Sequence, residues 1–135
     1  MKVYISGKIG EEVISEATRQ KFARAEEMLK AKGHEVTNPA SDKCQMLLRY
    51  SLKREKKHGY KGDFYSFALM TDLVSIWRDC DAVYFLEDWE NSPGAQSEHS
   101  FAMAIGKKML WQRLEDAQVF HDDDEKPEDV WLPVE

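Results

Sequence analysis

Apolar positions recur along this chain with two periods, and the switches between them mark its elements. In KVYIS, residues 2–6, they alternate among β-branched and aromatic types and run into Gly7 and Gly10, which predicts a strand entering a tight loop. From Glu11 to Lys32 the spacing becomes three and four, with Ile14, Ala17, Phe22, Ala25, Met28 and Leu29 on one stripe and Gly33 as a stop, which predicts a long helix. His34 to Thr37 reads as a short second strand closed by Asn38-Pro39. A strand, a loop, a helix and a strand make a βαβ unit, whose crossover is almost always right-handed. A helix is expected over 41–62, capped by Ser41 or Asp42 and broken near Gly59 and Gly62, and another over about 65–78. DAVYFLED, 81–88, is apolar enough to lie at the sheet centre. After the loop WENSPG, a helix over about 95–106 carries Phe101, Ala102 and Ile105 on one side. KKMLWQ, 107–112, reads as a further parallel strand and AQVFH, 117–121, as an edge strand.

Strands alternating with helices at this spacing predict a single α/β domain: an open, mostly parallel, doubly wound sheet of the flavodoxin-like or Rossmann-like kind, with helices on both faces. Such sheets bind ligands beyond the carboxyl ends of the strands, where strand order reverses. That edge is built here from SGKIG (6–10), NPA (38–40) and EDWENSPGAQSE (87–98).

Length and composition narrow the class. A chain of 135 residues has room for one core; we divide it into an α/β domain over 1–114, with a basic helical insertion at 43–61, and an acidic tail over 115–135. With 42% hydrophobic and 33% charged residues it matches folded globular chains and not disordered, collagen-like or disulfide-framework ones. No apolar run approaches the roughly 18 to 20 residues of a membrane span, and MKVYISGKIG lacks the apolar stretch of a secretory signal, so the expected location is cytoplasmic, without a membrane partner. Cys44 and Cys80 fit no paired metal spacing and are expected to be reduced and structural.

The net charge of −6 hides an asymmetry. Residues 115–135 hold nine acids against Lys126 alone, whereas Lys43, Arg49, Lys53, Arg54, Lys56, Lys57 and Lys61 face only Glu55 within 43–61. The basic segment could steer a phosphorylated ligand, touch nucleic acid, or serve only as a solvated helix face.

Among residues able to do chemistry, SGKIG is neither G-x-G-x-x-G nor a P-loop, yet its glycines permit close backbone approach and the helix after it favours an anion. Glu98 falls in or just beyond the first turn of its helix, where the macrodipole favours the ionised carboxylate a nucleophile needs, and it shares a face with Ala95, Ala102 and Ile105. Asp72 sits on the core side of its helix, between Leu69 and Ile76. Each could instead be an acid bent to solvent or paired with a lysine. Two carboxylates over one crevice suit glycosidic chemistry, one attacking the anomeric carbon while another group manages the leaving-group proton. His99 is expected to pack or face water, and His34, His58 and His121 show no metal spacing. Tyr4, Trp77, Trp89 and Trp111 read first as core or rim aromatics, with Tyr4 and Trp89 placed where they could also touch a base.

VYISGKI at 3–9, TDL at 71–73, DAVYFL at 81–86 and NSPGAQSEHSFAMAIGK at 91–107 together resemble the nucleoside 2-deoxyribosyltransferase family and its 2'-deoxynucleoside 5'-monophosphate N-glycosidase branch. The resemblance covers most of residues 1–112 and rests on the order of its motifs. It implies that Glu98 attacks C1' and forms a glycosyl-enzyme intermediate, that Asp72 assists near the base, and that Tyr4 orients the glutamate. It further implies that Ser6, Gly7, Lys8 and Ile9 of the first loop, with Ser92 and Gly94, surround sugar, base and phosphate. Six residues before the catalytic glutamate the transferases commonly carry an aspartate and the monophosphate hydrolases a serine; Ser92 therefore favours a 5'-monophosphate, since a hydroxyl donates to a phosphate that a carboxylate repels. Gly10 stands where the hydrolase branch has an arginine, which leaves Lys8 or the 43–61 segment to supply positive charge. The implied chemistry needs no metal or organic cofactor. Its partners are a small nucleoside or nucleotide and further copies of the chain in a homo-oligomer with shared sites. The rival readings are a non-catalytic nucleotide-binding or sensing module on the same fold, and, lowest, a nucleic-acid accessory protein.

Overall fold

The computed structural model describes residues 1–10 and 12–134. Four strands, β1 (Lys2–Ser6), β2 (Glu35–Thr37), β3 (Ala82–Phe85) and β4 (Lys108–Trp111), form one wholly parallel sheet in the order β2-β1-β3-β4. The doubly wound α/β architecture is as the sequence pattern predicts. The chain leaves β1 towards β2 and returns to the other side of β1 for β3, so strand order reverses between β1 and β3. Their register pairs Ser6 with Phe85 at the carboxyl ends, which fixes the crevice there.

Helix α1 (Glu16–Ala31) packs on β1 and β2. Right-handed crossovers set α3 (Phe64–Asp79) and α4 (Pro93–Ala104) on the opposite face, where they pack side by side, with α2 (Asp42–Lys57) against α3. The starts carry the expected caps: the hydroxyls of Ser15, Ser41 and Ser92 and the carboxylate of Asp63 each accept a backbone N–H from the first turn. Successive β1 side chains alternate between the faces, and Val3, Tyr4, Ile5 and Ser6 are all buried.

Three expectations are corrected. The first helix starts at Glu16, because Ser15 caps it and Gly10 takes a left-handed φ of 61°. Ile14 therefore belongs to the preceding loop, though it still packs on the core, and Ala17 is exposed. The expected helical start at Glu11 lies outside the described residues. Residues 117–121 are not an edge strand: they fall in helix α5 (Leu114–Phe120) and its cap His121. Alternation would have buried Val119, which is 71% exposed, whereas helical spacing turns Ala117 and Phe120 inward. Arg113 holds both carboxylate oxygens of the buried Asp116 and fixes the start of that helix.

The acidic segment is folded onto the sheet edge. After the short α6 (Pro127–Val130), the Leu132 N–H donates to the Trp111 carbonyl at 2.8 Å and the Tyr84 hydroxyl donates to the Leu132 carbonyl at 2.5 Å. Val130 is fully buried. Cys44 and Cys80 are free thiols. Among the described residues no helix is long and apolar enough to cross a membrane.

Candidate active site

Period-2 alternation in β1 turns Tyr4 and Ser6 to the same face, the one covered by α3 and α4, and both reach the same side chain there. The Tyr4 hydroxyl donates to Glu98 Oε2 and the Ser6 hydroxyl to Glu98 Oε1, each at 2.7 Å. Glu98 is buried in α4, and Asp72 of α3 lies close enough to act on both Glu98 and Tyr4. Tyr4, Asp72 and Glu98 border a cavity of about 730 Å³ at the carboxyl ends of the strands, lined also by Gly7, Ile9, Ser92 and Gly94.

Electrostatics here come from burial and proximity. Loss of solvent, then the neighbouring Asp72 charge, raise the Glu98 pKa well above the usual carboxylate range, against the lowering effect of its two hydroxyl donors. Burial likewise raises Asp72, opposed by a hydrogen bond with Tyr4. Tyr4 itself is raised by burial and by the two acids, so it remains a phenol and a donor. The expectation that the helix dipole keeps Glu98 ionised is therefore corrected: α4 begins at Pro93, Glu98 lies in its second turn, and the dipole fades within the first. A buried carboxyl and a half-buried one whose pKa values are both raised and which act on each other titrate as a pair.

Three other expected contacts differ. Ser6 is fully buried, does not line the cavity, and its hydroxyl holds Glu98 Oε1. Lys8 is exposed; its backbone N–H donates to Asp88 while its carbonyl accepts from Lys21, an arrangement that clamps the loop to α1. No basic residue of 43–61 lines the cavity: Arg49 reaches the Glu12 carbonyl and stacks over the Phe64 ring. Arg78 is the cation at its border, and it pairs with Asp79.

The aromatic residues divide. Trp89 is buried away from the cavity with its indole N–H on Asp116, and Trp77 is 60% exposed on α3. His99 packs, as one of its two expected fates, among Phe85, Trp89, Trp111 and Phe120, and burial lowers its pKa. The α2 wall of the cavity, including Cys44 and Leu48, was hidden in the sequence behind that helix's basic face; their four-residue spacing was the available signal.

Gly7 has a specific steric reason. A Cβ there would stand 2.6 Å from Leu86 Cδ1 and 3.0 Å from its Cβ, and Leu86 is fully buried. Gly7→Ala is expected to cost about 1–3 kcal/mol in urea unfolding, because the loop must lift off β3.

Residues 1–111 match the family described as Domain of unknown function (DUF4406), and the chain belongs to that family. No curated protein and no solved structure matches it.

Proposed function

We propose that this DUF4406 member is a nucleoside 2-deoxyribosyltransferase-like enzyme that cleaves the N-glycosidic bond of a 2'-deoxynucleoside or its 5'-monophosphate. The observation that carries the reading is the buried Glu98, held on both oxygens by Tyr4 and Ser6 at 2.7 Å beside Asp72, on the crevice of a parallel sheet.

The Tyr4 hydroxyl gives its one hydrogen to Glu98 Oε2. In the reacting form we place the one proton held by the Glu98–Asp72 pair on Asp72, which leaves Glu98 as the carboxylate nucleophile. Glu98 attacks C1' as the bond from C1' to the base nitrogen breaks; the bonding pair leaves with the base, which takes the Asp72 proton. Positive charge that builds on the sugar in the oxocarbenium-like transition state faces the Glu98 carboxylate. Water, or a second base, then attacks C1', gives a proton to Asp72 and releases Glu98. Water makes the protein a hydrolase and a base makes it a transferase. Ser92 caps α4 by accepting the Ala95 N–H, which leaves its hydroxyl hydrogen free for the 5' end of the substrate. The exposed apolar residues Met70, Val74 and Trp77 on α3, of which Val74 lines the cavity, support the expected homo-oligomer; a cytoplasmic location belongs to the same proposal.

The test is incubation with deoxynucleosides and their 5'-monophosphates, with and without a second free base, followed by chromatography of released base. Binding without release would reassign the protein to nucleotide sensing. Because both carboxyl pKa values are raised, kcat/KM is expected to peak near neutral pH. It falls on the acid side as the Glu98–Asp72 pair takes up a second proton and on the alkaline side as the pair loses the one it shares, which a pH series measures.

A further inference from the structure

We propose that the outward face of α2 is a docking surface for single-stranded nucleic acid, whose phosphates lie along its cations while a base stacks on Tyr50. The surface lies outside the Glu98 cavity, and the inference does not depend on the glycosidic reading.

At 3.6 residues per turn, Lys43, Tyr50, Lys53, Arg54 and Lys57 fall within about a third of the circumference of α2, and all five are exposed. Cys44 and Leu48, on the opposite side, line the cavity. From Lys43 to Lys57 the row runs about 21 Å, a length that fits a chain of phosphates and exceeds a single one. None of its four cations forms an ion pair among the described residues. Arg49, on the flank, is by contrast held by the Glu12 carbonyl and the Phe64 ring. Nor do the acids of α2 offset the row: Asp42 pairs with Arg19, and Glu55 stands about half a turn from Lys57.

The acidic net charge is carried elsewhere. α2 packs on α3, α3 on α4 and α4 on β4, so α2 closes one end of the helix layer, while the acidic segment is tied to β4 at the other. A polyanion that approaches α2 therefore meets the cations first. Tyr50 decides its form. The ring is 63% exposed in the middle of the row and has no partner among the described residues. An aromatic face among cations is a platform on which single strands stack their bases, and a duplex keeps those base faces covered. The other exposed apolar residues of this face, Met46 and Leu47, occupy one turn and do not make the apolar stripe a bilayer surface needs.

Fluorescence anisotropy of a labelled oligothymidylate of about 20 nucleotides, titrated with the full chain from about 50 to 200 mM salt, tests the surface. Binding is expected at the lowest salt and should weaken steeply as salt rises. The triple variant Lys53→Ala, Arg54→Ala, Lys57→Ala should bind at least tenfold more weakly at the lowest salt and reduce the slope of log K against log salt by about two. Tyr50→Ala should weaken binding at least fivefold and leave that slope unchanged. A control triple variant on α1, Arg24→Ala, Lys30→Ala, Lys32→Ala, changes the net charge equally and should stay within about twofold of the parent. All seven positions are exposed, so melting temperatures should match the parent. No binding at the lowest salt, an equal loss in the α1 variant, a Tyr50→Ala variant that binds like the parent, or tighter binding of a duplex of the same length overturns the proposal. Co-sedimentation with anionic vesicles or self-association of the chain, abolished by the α2 variant and found in place of oligonucleotide binding, overturns it as well.

Discussion

Glu98→Gln is expected to abolish base release, by about 10⁴-fold or more, while the folded protein becomes more stable. The first effect follows from the assigned chemistry: an amide cannot attack C1' as a nucleophile. The second follows from linkage. The folded-state pKa of Glu98 is raised, so between the ordinary carboxylate value and the raised one the folded chain holds a proton that the unfolded chain has released. Stability therefore falls as pH climbs through that interval and stays low above it. Glutamine mimics the neutral form, accepting from Tyr4 with its carbonyl and donating to Ser6 with its amide. The gain should be absent near pH 4, grow with pH and be complete only above about pH 8, at least about 1 kcal/mol, or roughly 4 °C in Tm. Thermal unfolding at pH 4.5 and pH 8 measures it. Equal melting temperatures at both pH values would show Glu98 to be ordinarily solvated and remove the basis of the active-site assignment. Loss of activity with lower stability would point to a misfolded variant.

This pair of effects explains which parts of the site were legible beforehand. Tyr4 and Ser6 share a face because strands alternate, and Glu98 and Asp72 each interrupt an apolar helical stripe, so local period marks the two acids as candidates while leaving open an acid bent to solvent or paired with a lysine. The order of strands, loops and helices likewise predicts the sheet and the edge where its crevice opens. The protonation of Glu98 is not local: it depends on Asp72, 26 positions earlier in the chain, and on burial that only the packing of α4 against α3 creates. Lys8 misleads for the same reason. Its position in the first loop suggests a ligand contact, yet Asp88 and Lys21 hold the backbone on either side of it and leave the side chain in solvent. The basic run of α2 drew attention to its charged face, while the opposite stripe forms a wall of the cavity. Residues 117–121 alternate well enough to suggest a strand, and the helix wins because Asp116 is tied to Arg113 and to the Trp89 indole.

Trp111→Ala is expected to be the most damaging substitution outside the site, at about 3–5 kcal/mol. Trp111 is fully buried at the carboxyl end of β4 and stacks between Phe85 of β3, at 4.7 Å, and Phe120 of α5, at 5.0 Å. Its carbonyl also receives the Leu132 N–H, so one residue ties the sheet to both ends of the acidic segment. A domain of this size has a total stability of about 5–15 kcal/mol, so the variant should be marginal and should lose protection first in α5 and α6, as read by hydrogen exchange. Trp111→Phe separates packing from polarity. The indole N–H of Trp111 is buried and has no partner among the described residues, so phenylalanine keeps the stack and removes that donor; the net change should stay within about 1 kcal/mol. Urea unfolding followed by circular dichroism measures both. If alanine and phenylalanine are equally tolerated, the segment is not held through this ring. The consequence reaches the site, because His99 follows Glu98 on α4 and packs on Trp89 at 4.6 Å and on Trp111 at 5.6 Å. Loosening that cluster lets α4 rotate, and the Glu98 oxygens then leave the Tyr4 and Ser6 hydroxyls. Trp111→Ala should therefore lower kcat more than Trp111→Phe even at temperatures where both remain folded.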